Sequence, residues 1–151
     1  CLKYKTEQKN MKNKMLLKFD SVSENEGFAR NVIASFLLPL NPGIGELTDI
    51  KTAVSEAVTN AIVHGYPDTV GEVTMLAETD GDNVHIVISD SGVGIEDLQA
   101  ALEPFYTTKP DDERSGMGFT IIKTFMDEVK VISKQNVGTV VDMTKRLTSV
   151  A

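Results

Sequence analysis

Two short turn signals, each lying between two apolar segments, constrain the fold of this chain more than any other feature. The dipeptide Asp80-Gly81 precedes residues 84–90, in which apolar and polar positions alternate. Asp-Gly before such a segment is a strong signal for a β-hairpin. A second turn, Asn136-Val137-Gly138, separates residues 129–133 from residues 139–144. The sequence therefore predicts two hairpins, the second of them closing the fold.

Helical patterns occupy the rest of the chain. Ser23 followed by Glu26 matches the capping box that begins a helix, and prolines end the apolar stripe that follows. A second helix is predicted from Glu46 to His64, because apolar residues recur there at helical spacing and Gly65 is a typical stop. The remaining predictions are a first strand around residues 15–19, a short helix near residues 96–102 and a third long helix from about Gly118.

The order of these elements indicates the fold class. Strands mixed with helices and followed by a terminal hairpin predict an α+β fold, a two-layer sandwich with helices on one face of a mixed β-sheet. The chain has 151 residues, the usual size of one domain. Because the first ten residues are polar and aperiodic and precede a methionine, we interpret residues 1–10 as a tag or upstream segment and 11–151 as a single domain.

Composition excludes several classes of function. Acidic residues outnumber basic residues 22 to 15, and the net charge is −7. Nucleic acids and anionic membranes favour clustered Lys and Arg, so the charge argues against direct binding to either. The longest apolar stretch, residues 32–40, is far shorter than the roughly 20 residues that span a bilayer. Cys1, the only cysteine, cannot form an internal disulfide. These features predict a cytoplasmic protein.

A polar stripe on the predicted second helix is the first candidate for chemistry. Glu56, Asn60 and His64 are spaced four apart, so a helix places them on one face. Alanines flank the stripe and leave room for a ligand, and a carboxylate with a carboxamide can serve as a base and a metal ligand. The alternative interpretation is an ordinary solvated helix face.

The second candidate is the segment Asp90-Ser91-Gly92-Val93-Gly94-Ile95, which follows an apolar strand. Gly92 and Gly94 allow backbone conformations and close approaches that other residues exclude. The Asp90 carboxylate can accept a hydrogen bond from an exocyclic amine. A simple strand-to-helix turn is the alternative, since two glycines at this spacing are weak evidence by themselves.

The third candidate is Gly116-Met117-Gly118, which follows a long irregular, lid-like segment and opens a predicted helix. The free amides and positive dipole of a helix start suit a phosphate, and Lys109 and Arg114 supply positive charge nearby. The segment is neither a Walker A loop nor a dinucleotide-binding fingerprint, because the required lysine and glycine spacing are missing. The alternative interpretation is that these glycines only mark the start of the helix.

In combination, the three candidates resemble the ATP-binding (Bergerat-type) fold shared by gyrase B, Hsp90, MutL and sensor histidine kinases. The string SEAVTNAIVHGYP is more similar to the anti-sigma-factor serine kinases. EPFYTTK and RSGMGFTIIKTFMDEV are similar to the members of that family from endospore-forming bacilli. The resemblance covers residues 11–147. It departs from the histidine kinases, whose helical hairpin with a phosphoacceptor histidine has no counterpart in this sequence.

The resemblance implies a role for each matching position. Asn60 would hold the Mg²⁺ that bridges the phosphates, and Glu56 would act as the base for the attacking hydroxyl. Asp90 would bind the adenine amino group, while the role of His64 stays open between ligand contact and helix-end packing. The other residues expected around ATP or ADP, as pocket, lid, counter-charge or phosphate cradle, are Gly92, Gly94, Thr107, Thr108, Lys109, Arg114, Gly116, Met117 and Gly118.

The function implied by the resemblance is a Mg·ATP-dependent protein serine kinase. Its substrate would be an anti-anti-sigma factor, and the same domain would bind and inhibit a sigma factor, so that partner switching regulates sporulation transcription. Such proteins act as homodimers, and Arg30, a cation on an acidic surface, is our candidate for a partner contact. The alternatives are a non-catalytic, nucleotide-dependent sigma-binding module and the catalytic fragment of a histidine kinase.

Overall fold

Each pair of neighbouring strands in the sheet runs antiparallel. The computed structural model describes residues 12–103 and 118–148. Within them the five-stranded sheet has the order β1-β2-β3-β5-β4. The α+β class is confirmed, but the prediction of a mixed sheet is wrong, because β3 and β5, which are neighbours in the sheet but not consecutive in the chain, also pair antiparallel. The strands are β1 (Lys12–Asp20), β2 (Glu72–Asp80), β3 (Asn83–Asp90), β4 (Glu128–Lys134) and β5 (Gly138–Arg146).

Both predicted hairpins are present. The β2–β3 register pairs Asp80 with Asn83 around a two-residue turn, so the turn lies one position later than its sequence signal. Gly81 adopts a φ of 60° in that turn. The β4–β5 hairpin pairs Lys134 with Gly138. In both hairpins a residue with positive φ reverses the chain, which is the backbone geometry that tight turns require.

The first helix, α1 (Glu24–Leu37), begins at Ser23 without the predicted capping box. Ser23 has helical φ and ψ values of −57° and −34°, and its side chain makes no capping hydrogen bond. A serine caps a helix from an extended conformation, so this backbone geometry excludes the motif. A 3₁₀ turn, Leu38–Leu40, contains the first proline and ends at Asn41 with a left-handed φ of 53°. The predicted end of the helix at the prolines is thus confirmed.

The second helix changes its geometry before it ends. Residues Ile44–Asn60 form the α-helix α2, but Ala61–Gly65 form one π-helical turn rather than the continuous helix to His64 that was predicted. A short helix, α3 (Leu98–Ala101), is capped by the Asp97 side chain, which accepts a hydrogen bond from the Ala100 amide. The third predicted long helix is present as α4 (Gly118–Phe125), with Gly118 the first residue described after the gap at residues 104–117.

One face of the sheet packs against the helices and forms the core. Alternate residues of the strands are buried there, as the period of two along a strand requires. Each large aliphatic side chain buried in this way contributes about 1.5–3 kcal/mol relative to its exposed state. No helix in residues 12–103 and 118–148 combines the length and the apolar character needed to cross a bilayer. The largest fully buried side chains include Ile33, Leu37, Ile50, Val54, Val58, Val73, Met75, Ile86, Ile88, Ile122 and Met143.

Candidate nucleotide site

The first and third sequence candidates meet where α4 begins beside the end of α2. A Cβ atom added to Gly118 would lie 3.1 Å from Asn60 Nδ2 and 3.4 Å from Glu56 Oε2. A larger residue at this position would press on both side chains. The glycine therefore brings the start of α4 as close as possible to the carboxylate and carboxamide of α2.

The far end of α4 is fixed to the same neighbouring helix. Lys145 Nζ donates a hydrogen bond to the terminal carbonyl oxygen of Phe125, at 2.6 Å, and lies 3.9 Å from Asp49 of α2. A cation at a helix C-terminus complements the negative end of the helix dipole. This contact holds α4 alongside α2 and so helps to place Gly118 next to Asn60.

The second candidate joins the first through Gly65, the last residue of the π turn. A Cβ atom added to Gly65 would lie 2.9 Å from Cγ and from Oδ1 of Asp90. A Cβ atom added to Gly92 would lie only 2.0 Å from the Gly65 carbonyl oxygen. The Val93 amide also donates to that oxygen, at 2.9 Å. The end of the second helix and the glycine-rich turn are therefore in direct backbone contact.

The π turn, which contains His64, explains the approach of Gly65 to Asp90. The Tyr66 amide donates to the Ala61 carbonyl oxygen at 3.2 Å, five residues back. A π turn is wider than an α turn, so each residue advances through a smaller angle, and such turns occur often at functional sites. His64 lies within this turn, and its place on the face of Glu56 and Asn60 stays a prediction.

Asp90 is a partly buried carboxyl group whose pKa is shifted by its surroundings. Its Oδ1 accepts a hydrogen bond from the Gly92 amide at 2.9 Å. Burial raises the pKa of the Asp90 carboxyl above its ordinary value of 3.8, although the Gly92 and Thr139 amides partly offset that effect. A half-buried carboxylate at a glycine-rich turn can accept a hydrogen bond from a ligand amine, and groups with a shifted pKa often mark functional sites.

The raised pKa predicts how stability changes when Asp90 becomes asparagine. The folded protein keeps this proton to a higher pH than the unfolded chain, so the ionised carboxylate destabilises the fold at neutral pH and not below about pH 4. Asp90→Asn removes the charge and can keep one oxygen for the Gly92 amide, while an amide nitrogen replaces the other oxygen. We expect a higher free energy of unfolding at pH 7, with a gain that shrinks as the pH falls toward 4.

Urea denaturation of the free protein at several pH values measures this gain. Asp68→Asn, at an exposed loop carboxyl, is the matched control and should show little change at any pH. A gain from Asp90→Asn that is the same at pH 4 and pH 7, or a loss of stability at pH 7, would contradict the effect of burial.

Asn60 carries an unsatisfied polar atom at the centre of the site. Within the described part of the chain, its Nδ2 is buried and has no hydrogen-bond partner. A buried donor without a partner costs about 1–3 kcal/mol, which a ligand with acceptor oxygens would recover. The carboxamide also offers an oxygen of the kind that Mg²⁺ binds. Its chemistry therefore fits a phosphate with a bound magnesium ion.

The side chains that the structure describes do not form a complete metal site by themselves. In residues 12–103 and 118–148, no group of three or more His, Cys, Asp or Glu residues is arranged to hold a metal ion. Magnesium typically takes one or two protein ligands and completes its shell with substrate phosphates and water. A single ligand from Asn60 agrees with this pattern.

The structure describes the surroundings of Gly94 and Arg30, whereas other predicted residues lie outside the described part of the chain. Gly94, with a φ of 71°, lies against the β4–β5 turn, where a Cβ atom would be 2.2 Å from the Lys134 carbonyl oxygen. Arg30, predicted as a partner contact, lies on α1 and pairs with Glu26 at 3.2 Å. Outside the described residues are Thr107, Thr108, Lys109, Arg114, Gly116 and Met117.

Sequence reasoning missed three residues that shape the site. Gly65 was interpreted as a helix stop, although its main role here is to make room for Asp90. Gly138, with a φ of 140°, lies so close to Asp90 that a Cβ atom would be 2.0 Å from the Asp90 carbonyl oxygen. Tyr66, buried at 9% exposure, donates from its hydroxyl to the Glu72 carbonyl oxygen. Only Tyr66 could have been noticed in the sequence, because it is an aromatic residue directly after Gly65, the glycine predicted to end the helix.

Comparison with known proteins defines the class to which this fold and site belong. Residues 20–145 match the model of the histidine kinase-like ATPase domain. The chain is 53% identical over 139 residues to the anti-sigma F factor of Anoxybacillus flavithermus, which covers 91% of this chain and 95% of that relative. It is 56% identical over 138 residues to the anti-sigma F factor of Oceanobacillus iheyensis, with 91% and 94% covered. The chain therefore belongs to the histidine kinase-like ATPase family and, within it, to the anti-sigma F factors.

Solved structures share the fold at lower identity. The structure of the RsbU and RsbW domains of a Mycobacterium tuberculosis protein superposes with a TM-score of 0.65 at 20% identity, covering 89% of this chain and 32% of that one. The catalytic domain of the histidine kinase ThkA gives a TM-score of 0.54 at 18% identity, covering 89% of this chain and 97% of that one. These likenesses confirm the predicted fold class.

Proposed function

We propose that this site binds Mg·ATP or ADP between α2, α4 and the turn after β3. The observation that carries the proposal is the convergence of three separate segments, with Gly118 against Asn60 and Gly65 against Asp90. Asp90 would accept the adenine amine and Asn60 would hold the magnesium ion. The remaining residues proposed around the nucleotide are Gly92, Gly94, Thr107, Thr108, Lys109, Arg114, Gly116, Met117 and Gly118.

The second step of the proposal is that the bound nucleotide is used in phosphoryl transfer to a protein serine. Magnesium, when bound, neutralises phosphate charge, and the protein contributes mainly by positioning the reacting groups. A serine hydroxyl is a weak nucleophile near neutral pH, so a carboxylate that accepts its proton accelerates the reaction. Glu56 lies beside the start of α4, where the phosphates are proposed to bind, and is our candidate for this base.

The third step concerns the protein partners. Relatives that are more than half identical over 91% of this chain carry the name anti-sigma F factor. We propose that this chain likewise binds and inhibits a sigma factor, in the cytoplasm and as a homodimer, and that it phosphorylates an anti-anti-sigma factor to control sporulation transcription. Arg30, half-exposed on α1 and paired with Glu26, is proposed as part of the partner surface. Nucleotide state would favour one partner over the other through ordinary linkage.

One experiment tests the catalytic proposal against binding alone. The protein is mixed with Mg·ATP and a purified anti-anti-sigma protein, and the mass of that substrate is followed over time. We expect the gain of one acid-stable phosphate on serine, with Glu56→Ala as the variant that abolishes it. ATP binding without transfer would instead support a nucleotide-dependent sigma-binding module. An acid-labile phosphohistidine would support histidine-kinase chemistry.

A further inference from the structure

The hydroxyl group of Tyr66 connects the loop after the π turn to the proposed adenine-binding turn. It donates a hydrogen bond to the Glu72 carbonyl oxygen at 2.7 Å and accepts one from the Ser91 amide at 2.8 Å. The tyrosine is 9% exposed. Its ring lies on Gly71, where a Cβ atom would be 2.2 Å from Tyr66 Cε1. The contact with Gly71 therefore fixes the ring, and the hydroxyl lies within hydrogen-bond distance of the Ser91 amide.

The amides of this turn are bound by groups from different parts of the protein. Gly92 donates to Asp90 Oδ1, Val93 to the Gly65 carbonyl oxygen and Ile95 to Ser133 Oγ, each at 2.8–2.9 Å. The Ser91 amide, directly after Asp90, donates to Tyr66. Because Ser91 is the link between Asp90 and Gly92, its position sets the direction in which the Asp90 carboxylate points.

We propose that Tyr66 is a positioning residue for base recognition, which fixes the Asp90 carboxylate through the Ser91 amide. The proposal rests on the proposed role of Asp90 in binding the adenine amine. Without the hydroxyl, the turn samples other conformations, and the apparent affinity for ATP falls by the fraction of molecules that remain competent to bind. A turn that is competent one-tenth of the time would bind ATP about tenfold more weakly.

A purely structural role for Tyr66 makes a different prediction. If the hydroxyl only braces the loop between Tyr66 and Glu72, its loss lowers stability but leaves base selectivity unchanged. Guanine carries a carbonyl oxygen where adenine carries its amine, so it gains nothing from the acceptor at Asp90. Selectivity between ATP and GTP therefore separates the two roles, whereas stability does not.

The test compares Tyr66→Phe with the wild-type protein in binding to Mg·ATP and to Mg·GTP. We expect about tenfold weaker ATP binding, a much smaller change for GTP, and faster hydrogen exchange at the Ser91 amide. Ile33→Val, which trims a fully buried side chain on α1, is the control for a general loss of stability and should leave the ATP-to-GTP ratio unchanged. An unaltered ratio in Tyr66→Phe would overturn the proposal.

A second variant distinguishes failure of this inference from failure of the proposed function. Asp90→Asn should lose most of its preference for ATP if Asp90 binds adenine. If Asp90→Asn binds ATP as well as the wild type does, or the wild type binds no ATP, the proposed site is wrong. If Asp90→Asn loses the preference while Tyr66→Phe keeps it, the site stands and only the positioning role of Tyr66 is wrong.

Discussion

Glu56→Gln is expected to slow phosphoryl transfer to a serine by about 10²–10⁴-fold, the usual contribution of a positioned general base. Glutamine keeps the length and the hydrogen-bonding ability of the side chain but cannot take the proton of the attacking hydroxyl. Glu56→Ala should slow transfer as well, because alanine removes both the proton acceptor and the hydrogen-bonding groups of the side chain. Nucleotide affinity should change little in either variant, because the proposed contacts to the nucleotide come from other residues. Single-turnover rates and nucleotide titrations measure the two quantities separately.

The same helix supplies a matched control for this experiment. Glu46 lies in the first turn of α2, at the opposite end of that helix from Asn60. Its Oε2 accepts a hydrogen bond from the Thr148 amide at 2.8 Å. Glu46→Gln makes the identical chemical change, and we expect its transfer rate to stay close to that of the wild type. Normal transfer by Glu56→Gln and Glu56→Ala would remove Glu56 from the base role, whatever the affinity for ATP.

Features that depend on neighbouring residues could be predicted from the sequence. The β2–β3 hairpin follows from an Asp-Gly pair between apolar segments, and the register places Gly81 in the turn at positive φ. The end of α1 at the prolines also follows from local backbone preferences. Each of these signals acts within a few residues of the place where it is found, so tertiary packing did not override it.

Features that depend on distant contacts could not be predicted. The antiparallel pairing of β3 with β5 joins two strands that are not consecutive in the chain, and neither strand's sequence identifies its partner. The π turn at Ala61–Gly65 places Gly65 against Asp90, although the two residues are far apart in the chain. Ser23 had the right residue type for a cap, but the chain enters α1 already in helical geometry.

The candidate site shows the same division. Glu56, Asn60, Asp90 and Gly118 could each be chosen from residue type and spacing, yet each pattern alone had an ordinary structural explanation. The combination of these residues indicated a nucleotide site, because it resembles a known family. In the structure, the close approaches at Gly118 and Gly65 bring these residues together. Tyr66 was missed because its role depends on where its hydroxyl lies in three dimensions, which neither spacing nor residue type reveals.

Asn60→Ala is expected to weaken ligand binding strongly and to change the stability of the free protein little. Loss of a hydrogen bond to a charged group, or of a metal ligand, should weaken Mg·ATP binding by about 10²-fold, or roughly 3 kcal/mol. The free protein should stay within about 1 kcal/mol of the wild type, because the variant also removes the buried Nδ2 that lacks a partner among the described residues. Calorimetric titration with and without magnesium, together with urea denaturation, measures both effects.

The dependence on magnesium identifies the role of Asn60 within this result. If its carboxamide holds the ion, the wild type binds ATP more tightly with Mg²⁺ than with a chelator, and Asn60→Ala loses most of that difference. Thr52→Ala is the control on the same helix, since the Thr52 hydroxyl donates to the Thr48 carbonyl oxygen at 2.9 Å within α2. An unchanged magnesium dependence in Asn60→Ala would show that the unpaired amide serves the fold or the phosphates rather than the metal.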